Sequence, residues 1–238
     1  MNAYRARPRI FVALDTPNVG SALKLAKAAK PHVGGLKIGL EFLTANGPDE
    51  VKRVVSLGLP VFADTKFHDI PNTVAAASRE IASLGVSFFN VHASGGRTML
   101  RASLEAARGV NPGIKVVAVT VLTSLDARDL DPVGQRGTMQ EQVLRLAGLS
   151  HAAGLDGVVC GAGEVRAVRA EFGPDFLIVV PGIRPAGSGT EDQRRTVTPA
   201  EAAEAGADIL VVGRPISAAP DPVAAARAIA AELSENPA

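Results

Sequence analysis

The sequence predicts an α/β protein folded as a (β/α)8 TIM barrel, and three observations support this fold class. Eight short runs of apolar and β-branched residues alternate with segments long enough for a helix. Each run is apolar almost throughout, as expected of a parallel strand covered on both faces. The length of 238 residues also suits one such barrel. We therefore expect one domain over residues 1–238, with the barrel at about residues 9–232 between short terminal tails.

The predicted strands follow one another with no change of composition between them. They are Ile10–Asp15, Gly35–Gly39, Pro60–Lys66, Ser87–His92, Lys115–Leu122, Gly157–Gly161, Phe176–Pro181 and Ile209–Gly213. The crossover helices predicted between them include Ala22–Ala29, Val74–Leu84, Met99–Ala107, Met139–Ala153 and Thr198–Ala205. Eight such units with right-handed crossovers close most naturally into a barrel. An open doubly wound sheet is the alternative, but the turn at residues 15–18 lacks the glycine fingerprint of that class.

Local signals mark several helix ends. Thr16 followed by Pro17 predicts an N-cap with proline at the first helical position. Gly85, Gly109 and Gly206 stand where helices are expected to end, because glycine readily adopts the left-handed conformation that closes a helix.

Composition excludes several classes of protein. The formal net charge of +1 gives no bulk attraction to nucleic acid or to a membrane. Cys160 is the only cysteine, which excludes an intrachain disulfide framework and a CxxC zinc site. Residues 1–8 lack the apolar core of a signal peptide, and no apolar run approaches the roughly 20 residues of a membrane span. We therefore expect a soluble protein of the reducing cytoplasm, with no nucleic-acid or membrane partner.

Charged residues gather at the C-terminal ends of the first three predicted strands, where barrel enzymes place their active sites. The first strand ends at Asp15, the second carries Lys37, and the third carries Asp64 and Lys66 with Asp69 shortly after it. Asp64 and Lys66 are two residues apart and so share one face of a strand. One charged residue at a strand end is usually a solvated loop residue. A converging set is costly to crowd together, so it indicates an active site.

The segments after the last two strands have the composition of a phosphate site, which is common at this place in barrels. They supply guanidinium groups, an amide donor and a glycine that allows close backbone approach, from Arg184, Gln193, Gly213 and Arg214. The small residues at 185–190 predict a loop that closes over the phosphate, within about residues 184–194. A solvated surface loop is the alternative interpretation.

Residues 63–73 read Ala-Asp-Thr-Lys-Phe-His-Asp-Ile-Pro-Asn-Thr and resemble the DxKxxDIPNT signature of the orotidine 5'-phosphate decarboxylase family. A bare DxKxxD is also similar to 3-keto-gulonate-6-phosphate decarboxylase and hexulose-phosphate synthase, but the extension at residues 70–73 favours the orotidylate branch. Other segments resemble the family in the same order, at residues 12–15, 36–39, 90–96, 119–124, 181–184, 192–195 and 211–214. The likeness spans residues 10–216.

The resemblance implies loss of carbon dioxide from C6 of orotidine 5'-phosphate and protonation of that carbon, the last step of de novo UMP synthesis. Lys66 matches the proton donor of the family, and Asp64 matches the carboxylate beside the leaving group. Asp69 and Thr73 match residues that come from the neighbouring subunit, which implies a homodimer with composite sites. Lys37 would complete an alternating array of lysines and aspartates.

The resemblance also implies the substrate-binding residues. Asp15 matches the ligand of the ribose hydroxyls, and Thr123 matches the residue that bonds the pyrimidine edge. The family's remaining substrate-binding positions are matched by Lys37, Asp64, Thr73, Arg184, Gln193, Gly213 and Arg214.

No cofactor and no metal are implied. The magnesium-dependent keto-gulonate branch has a glutamate where this chain has Lys37, and a lysine repels a cation. Two alternatives stay open: a metal-dependent sugar-phosphate decarboxylase or aldolase, and a non-catalytic barrel that binds a phosphate ligand. His68 and His92 are interpreted as hydrogen-bonded structural residues, and Cys160 as a small packed side chain.

Overall fold

Eight parallel strands close into a barrel in the computed structural model, which describes residues 10–185 and 197–235. Each strand pairs with the next along the chain, and the eighth pairs with the first. The strands are β1 (Ile10–Ala13), β2 (Gly35–Ile38), β3 (Val61–Phe67), β4 (Phe88–His92), β5 (Lys115–Val119), β6 (Gly157–Val159), β7 (Leu177–Val180) and β8 (Ile209–Val212). The predicted barrel is confirmed.

Helices alternate with the strands and surround the barrel. They are α1 (Val19–Ala29), α2 (Leu40–Val55), α3 (Pro71–Ser83), α4 (Gly96–Val110), α5 (Ala127–Leu130), α6 (Met139–Ala152), α7 (Val165–Phe172), α8 (Pro199–Glu204), α9 (Arg214–Ser217) and α10 (Pro222–Glu235). α2 is kinked at Gly47, where φ is 71° and Pro48 follows. Within the described ranges, no helix has the length and apolar character needed to cross a membrane.

Strand alternation divides the core into two layers. Ile10 and Val12 of β1 belong to the large cluster between strands and helices, whereas Phe11 belongs to a smaller cluster inside the barrel. Phe11 and Phe62 both meet Phe88 edge-on, with ring centroids 5.7 and 6.2 Å apart. The remaining buried members of the inner cluster are Val117, Leu177, Val179 and Ile209. These side chains form an apolar floor at the N-terminal ends of the strands.

Gly35 shows how closely this floor is packed. A Cβ at this position would lie 2.5 Å from the ring of Phe11, so no other residue fits without displacing that ring. The floor therefore fills the lower barrel, and space for a ligand is left only above it.

β3 pairs irregularly with β4. Ala63 pairs with Phe89, and the next pair is Phe67 with Val91, so three residues of β3 lie opposite Asn90 alone. Within this bulge Lys66 has a φ of 51°, the only positive φ at a non-glycine residue in the described ranges. A left-handed conformation costs an L-residue roughly 1–2 kcal/mol. Bulges commonly re-aim a side chain next to an active site.

The predicted start of the first helix is wrong. α1 begins at Val19, and its N-cap is Asn18, whose side chain accepts the backbone N–H of Ser21 at 2.8 Å. Thr16 instead accepts the N–H of Asn18 at 3.2 Å, in the turn before the helix. Both residue types are good N-caps, and the chain uses the later one.

Two of the three predicted glycine stops are confirmed. Gly85 and Gly206 follow α3 and α8 with φ of 80° and 105°. Gly109 is a wrong prediction, because α4 continues through it to Val110. An exposed glycine inside a helix costs only about 1 kcal/mol, which tertiary packing overrides.

Candidate active site

A cavity of about 460 Å³ opens at the C-terminal ends of the strands, above the apolar floor. This volume is within the range of small-molecule sites, which is about 300–1,000 Å³. Its wall combines apolar side chains with charged groups of both signs. The predicted site residues among its lining are Asp15, Lys37, Asp64, Lys66, Thr123, Arg184, Gly213 and Arg214.

Asp64 lies at the centre of the charged cluster. Its Oδ1 accepts from Lys66 Nζ at 2.6 Å and from Asn90 Nδ2 at 2.7 Å, while its Oδ2 is 3.8 Å from Lys37 Nζ. The side chain keeps 18% of its exposure, and it lines the cavity. The carboxylate is thus held by side chains while remaining accessible to a ligand.

Lys37 links Asp64 to Asp15. Its Nζ lies 2.6 and 2.7 Å from the two carboxylate oxygens of Asp15, and its side chain is only 7% exposed. Gly39 leaves the room for this pair, because a Cβ there would lie 2.7 Å from Asp15 Oδ1 and 3.0 Å from Lys37 Nζ. Charges of alternating sign therefore run from Asp15 through Lys37 and Asp64 to Lys66.

Opposing effects set the protonation of Asp64. Burial raises the pKa of its carboxyl, but the charges of Lys66 and Lys37 lower it, with further help from hydrogen bonds from Lys66 and Asn90. The net pKa lies below the ordinary value for an aspartate. Asp64 is therefore ionised at neutral pH.

Asp69 and Thr73 do not line the cavity of their own chain. Both side chains are exposed, where β3 gives way to α3. Asp69 Oδ1 accepts the backbone N–H of Ile70 at 2.6 Å, and Ile70 itself is 67% exposed. A single chain thus brings together three members of the predicted array, Lys37, Asp64 and Lys66. The fourth, Asp69, is exposed and lies outside the cavity of its own chain.

The part of the cavity wall beyond β7 and β8 carries the predicted phosphate residues. Arg184 follows β7 and is 8% exposed, with its Nη1 donating to the carbonyl of Ile183 at 3.0 Å. Gly213 stands between β8 and α9, and Arg214 is the first residue of α9. Gln193 lies outside the described residues. Two cationic side chains, Arg184 and Arg214, therefore line the cavity where β7 and β8 end.

Three further residues belong to the site and had no predicted role in it. Asn90 bonds Asp64, and Ser217 and Cys160 line the cavity. A polar residue inside an otherwise apolar strand was the available signal for Asn90. Cys160 is fully buried, as its predicted packing role requires, but it forms part of the cavity wall. For Ser217, in a four-residue helix, we find no local signal.

His68 and His92 stack on one another at the edge of the site. Their ring centroids are 5.4 Å apart at an interplanar angle of 23°. Burial lowers the pKa of His92, and the neighbouring charges of His68 and Lys66 lower it further, against an opposing effect of Asp64. His92 is therefore neutral at pH 7. Neither histidine is among the residues that line the cavity.

Across residues 10–185 and 197–235, no three His, Cys, Asp or Glu side chains are grouped so that they could hold a metal ion.

Comparison with known proteins places this arrangement in a family. The family model described as "Orotidine 5'-phosphate decarboxylase / HUMPS family" matches residues 8–229. The chain is 56% identical over 225 residues to an orotidine 5'-phosphate decarboxylase of Anaeromyxobacter dehalogenans, which covers 94% of this chain and 98% of the relative. It is 55% identical over 239 residues to the protein of that name from Moorella thermoacetica, covering 98% and 95% of the two chains.

A solved structure agrees with these relatives. The crystal structure of orotidine 5'-phosphate decarboxylase from Lactobacillus acidophilus superposes with a TM-score of 0.83 at 40% identity, covering 95% of this chain and 98% of that one. The likeness thus extends over the whole barrel, including the strand ends that carry the charged cluster and the cationic side chains. On these grounds the chain belongs to the orotidine 5'-phosphate decarboxylase / HUMPS family.

Proposed function

We propose that this protein is a carboxy-lyase that converts orotidine 5'-phosphate to UMP and carbon dioxide, with no cofactor or metal and with Lys66 as the proton donor. One observation carries the proposal: the Lys66 ammonium lies 2.6 Å from Asp64 at the wall of a cavity that Arg184 and Arg214 also line. The names of the relatives support the orotidylate branch of the family.

The chemistry needs a group that stabilises a carbanion and then protonates it. When the bond between C6 and the carboxylate breaks, the electron pair stays on C6 and carbon dioxide leaves. A lysine ammonium beside C6 stabilises that charge and then gives its proton to the carbon. Lys66 suits this role because its side chain lines the cavity with its ammonium 2.6 Å from Asp64. Water then restores the proton on the lysine.

Asp64 would lie beside the carboxylate that the substrate loses. It is ionised, as its lowered pKa requires, and it is held by Lys66 and Asn90. The fixed charges are in place before the substrate arrives, so no reorganisation is needed during the reaction. The array also explains Lys37, which pairs with Asp15 and lies 3.8 Å from Asp64, so that two lysines balance two aspartates.

The remaining groups orient the substrate. We assign the ribose hydroxyls to Asp15, whose carboxylate is fixed by Lys37 but 47% exposed, and the pyrimidine edge to Thr123. The phosphate would bind at the cationic side, where guanidinium groups form charge-assisted hydrogen bonds. The phosphate-binding residues would be Arg184, Gln193, Gly213 and Arg214.

Independence from metal follows from the charge of Lys37. A cation at the centre of the cluster would stand next to this ammonium, which already contacts both nearby carboxylates. Repulsion therefore disfavours the magnesium-dependent chemistry of the related sugar-phosphate enzymes.

A homodimer with composite sites would complete the array. Asp69 and Thr73 are exposed and lie outside the cavity of their own chain, next to the exposed Ile70. We propose that they reach the active site of a second copy, which also covers Ile70. The protein would work in the cytoplasm, without nucleic-acid or membrane partners.

Decarboxylation of orotidine 5'-phosphate in excess EDTA tests the activity, with the wild type beside Lys66→Ala. We expect activity that survives the chelator and falls by at least about 10²–10⁴-fold in the variant. Lys115→Ala is the matched control, because Lys115 also pairs with an aspartate, at 2.9 Å, but outside the cavity. A folded wild type that is inert with this substrate would overturn the proposal in favour of sugar phosphates with magnesium.

Mixing two inactive variants tests the composite site. Lys66→Ala keeps Asp69, and Asp69→Asn keeps Lys66, so a mixed dimer contains one site with both residues intact. Random exchange should restore about one quarter of the wild-type activity. Sites built from a single chain would stay inactive at every mixing ratio.

A further inference from the structure

Asn90 lies in β4 opposite the bulge of β3 and is only 1% exposed. In a regular parallel pair, the three residues between Ala63 and Phe67 would face several ladder partners. Here they face Asn90 alone, so the backbone groups in the bulge lose their usual hydrogen bonds. A buried backbone group without a partner costs about 1–3 kcal/mol.

Asn90 supplies a partner for one of these backbone groups and also bonds the two neighbouring side chains of the bulge. Lys66 donates its backbone N–H to Asn90 Oδ1 at 2.7 Å, and Thr65 donates its hydroxyl to the Asn90 carbonyl at 2.7 Å. Asn90 Nδ2 donates to Asp64 Oδ1, also at 2.7 Å. Three consecutive residues of β3 are thus hydrogen-bonded to one residue of β4.

The chemistry of the partners fixes the orientation of the amide. The Lys66 N–H can only donate, and the ionised Asp64 carboxylate can only accept. The Asn90 oxygen must therefore face Lys66, and its NH2 group must face Asp64. Neither a hydroxyl nor a carboxylate of similar size offers a separate donor and acceptor in this fixed arrangement.

These contacts also stabilise the unfavourable backbone of Lys66. A φ of 51° at a non-glycine residue persists only where its surroundings over-determine it. The bond from the Lys66 N–H to Asn90 is such a restraint, and it acts only two covalent bonds away from the Cβ of the same residue, which aims the ammonium. Loss of the restraint would let the bulge relax and move Lys66 Nζ away from Asp64.

We propose that Asn90 is a positioning residue for this reaction, which holds Lys66 and Asp64 in their reactive geometry without contacting the substrate. The inference rests on the proposed function. Asn90 is absent from the residues that line the cavity, so it acts through its two neighbours. Its hydrogen bond also favours the ionised form of Asp64.

Steady-state kinetics of Asn90→Leu tests the inference, because leucine has a similar size and no polar group. We expect kcat to fall by about 10²-fold, the effect of a displacement near 1 Å at the reacting groups. KM should change by no more than about threefold, because the proposed phosphate residues follow β7 and β8 and Asn90 bonds only residues of β3. Ser103→Ala is the matched control: it removes a buried 2.7 Å hydrogen bond to Ser78, between α3 and α4, and should leave kcat unchanged.

The pH profile of Asn90→Asp gives a second measure. A protonated carboxyl at position 90 can donate to Asp64 and accept from Lys66, whereas an ionised one repels Asp64. Burial and the nearby Asp64 charge raise the pKa of the new carboxyl. The kcat of this variant, relative to wild type, should therefore rise as the pH falls. A purely structural defect would lower this ratio equally at every pH.

The outcomes separate the two proposals. An active wild type with unchanged kcat in Asn90→Leu, or with a pH-independent deficit in Asn90→Asp, overturns the role of Asn90 and leaves the proposed function standing. A wild type that does not decarboxylate orotidine 5'-phosphate overturns the proposed function and this inference with it. The expected fall in kcat, with a preserved thermal unfolding transition, supports both.

Discussion

Buried carboxylates occur at both ends of the barrel, and the two ends use them differently. At the N-terminal end, Asp208 precedes β8 and accepts the backbone N–H of Ile178 at 2.8 Å and Arg169 Nη2 at 2.6 Å. Asp156 precedes β6 in the same way and accepts the N–H of Val116 at 2.9 Å. Each carboxylate is tied to the backbone of the preceding strand.

At the C-terminal end, the donors to Asp64 are side chains. Lys66 and Asn90 hold one oxygen, and the group keeps 18% of its exposure, whereas Asp208 is fully buried. The ion-pair chemistry is the same in both places. What differs is the kind of partner: a backbone donor joins the carboxylate to the sheet, and side-chain donors leave it facing a ligand. The kind of donor thus distinguishes Asp208 and Asp156, which are tied to the sheet, from Asp64, for which we propose a role in the reaction.

The largest effect on stability is expected from Asp208→Ala. Arg169 would keep its charge in a largely buried place after losing its carboxylate, and the Ile178 N–H would lose an acceptor. We expect the free energy of unfolding to fall by about 3–5 kcal/mol. Denaturant unfolding measures this loss, and kcat of the folded fraction should equal that of wild type. A fall in kcat without loss of stability would break the comparison.

Asp64→Asn should lower kcat strongly and stability only slightly, the reverse of Asp208→Ala. The amide keeps the shape of the side chain but removes the charge, so we expect kcat to fall by about 10²–10³-fold. The free energy of unfolding should change by less than about 1 kcal/mol, because Lys37 keeps its pair with Asp15. Kinetics and denaturant unfolding on one preparation give both values. A stability loss as large as that of Asp208→Ala would place the two carboxylates in the same class.

Gly39→Ala sharpens the comparison at the reactive end. A Cβ at this position would meet Asp15 Oδ1 and Lys37 Nζ, the flexible ends of side chains, so the fold should tolerate it. Displacement of the pair should raise KM by about 10-fold, the equivalent of one hydrogen bond of about 1.4 kcal/mol. Gly163→Ala is the control, because a Cβ there meets nothing within 4 Å. Equal KM values for the two variants would contradict the assigned role of the pair.

The smallest expected effect is the change in the stability contribution of Asp64 as the pH is lowered. The folded pKa of Asp64 lies below its unfolded value, so its contribution to stability is complete above about pH 4. That contribution is lost as the pH falls through the lowered folded pKa. The difference in unfolding free energy between wild type and Asp64→Asn should therefore decrease with acidification below the ordinary aspartate range. A difference that grows with acid would mean that the pKa is raised.

The barrel could be predicted because its signals are local. Apolar runs of strand length, separated by helix-length segments, appear directly in the sequence, and the structure confirms them. Charges at strand ends likewise identified Asp15, Lys37, Asp64 and Lys66, which the structure brings together in one cluster. Strand-end charges could be assigned to one site because the C-terminal ends of all eight strands lie at the same face of the barrel.

The bulge could not be predicted, because it depends on how two strands pair. Nothing local to residues 61–67 requires the shift in register, and nothing local to Asn90 indicates that its amide bonds Lys66 and Asp64. The predicted start of α1 was wrong for a different reason. Thr16 competes with Asn18 as an N-cap of similar strength, and the difference is too small to decide from sequence.

The irregular pairing of β3 has a consequence for insertions and deletions. Side chains alternate across a strand, so removing one residue between Ala63 and Phe67 would turn either the signature aspartate or the lysine toward the helices. The flanking pairs Phe62–Phe88 and Phe67–Val91 would still hold the strand in the barrel. Such a chain would fold with one of these two charged side chains facing the helices instead of the cavity. The number of residues in this short stretch is therefore as strong a constraint on variation as their identity.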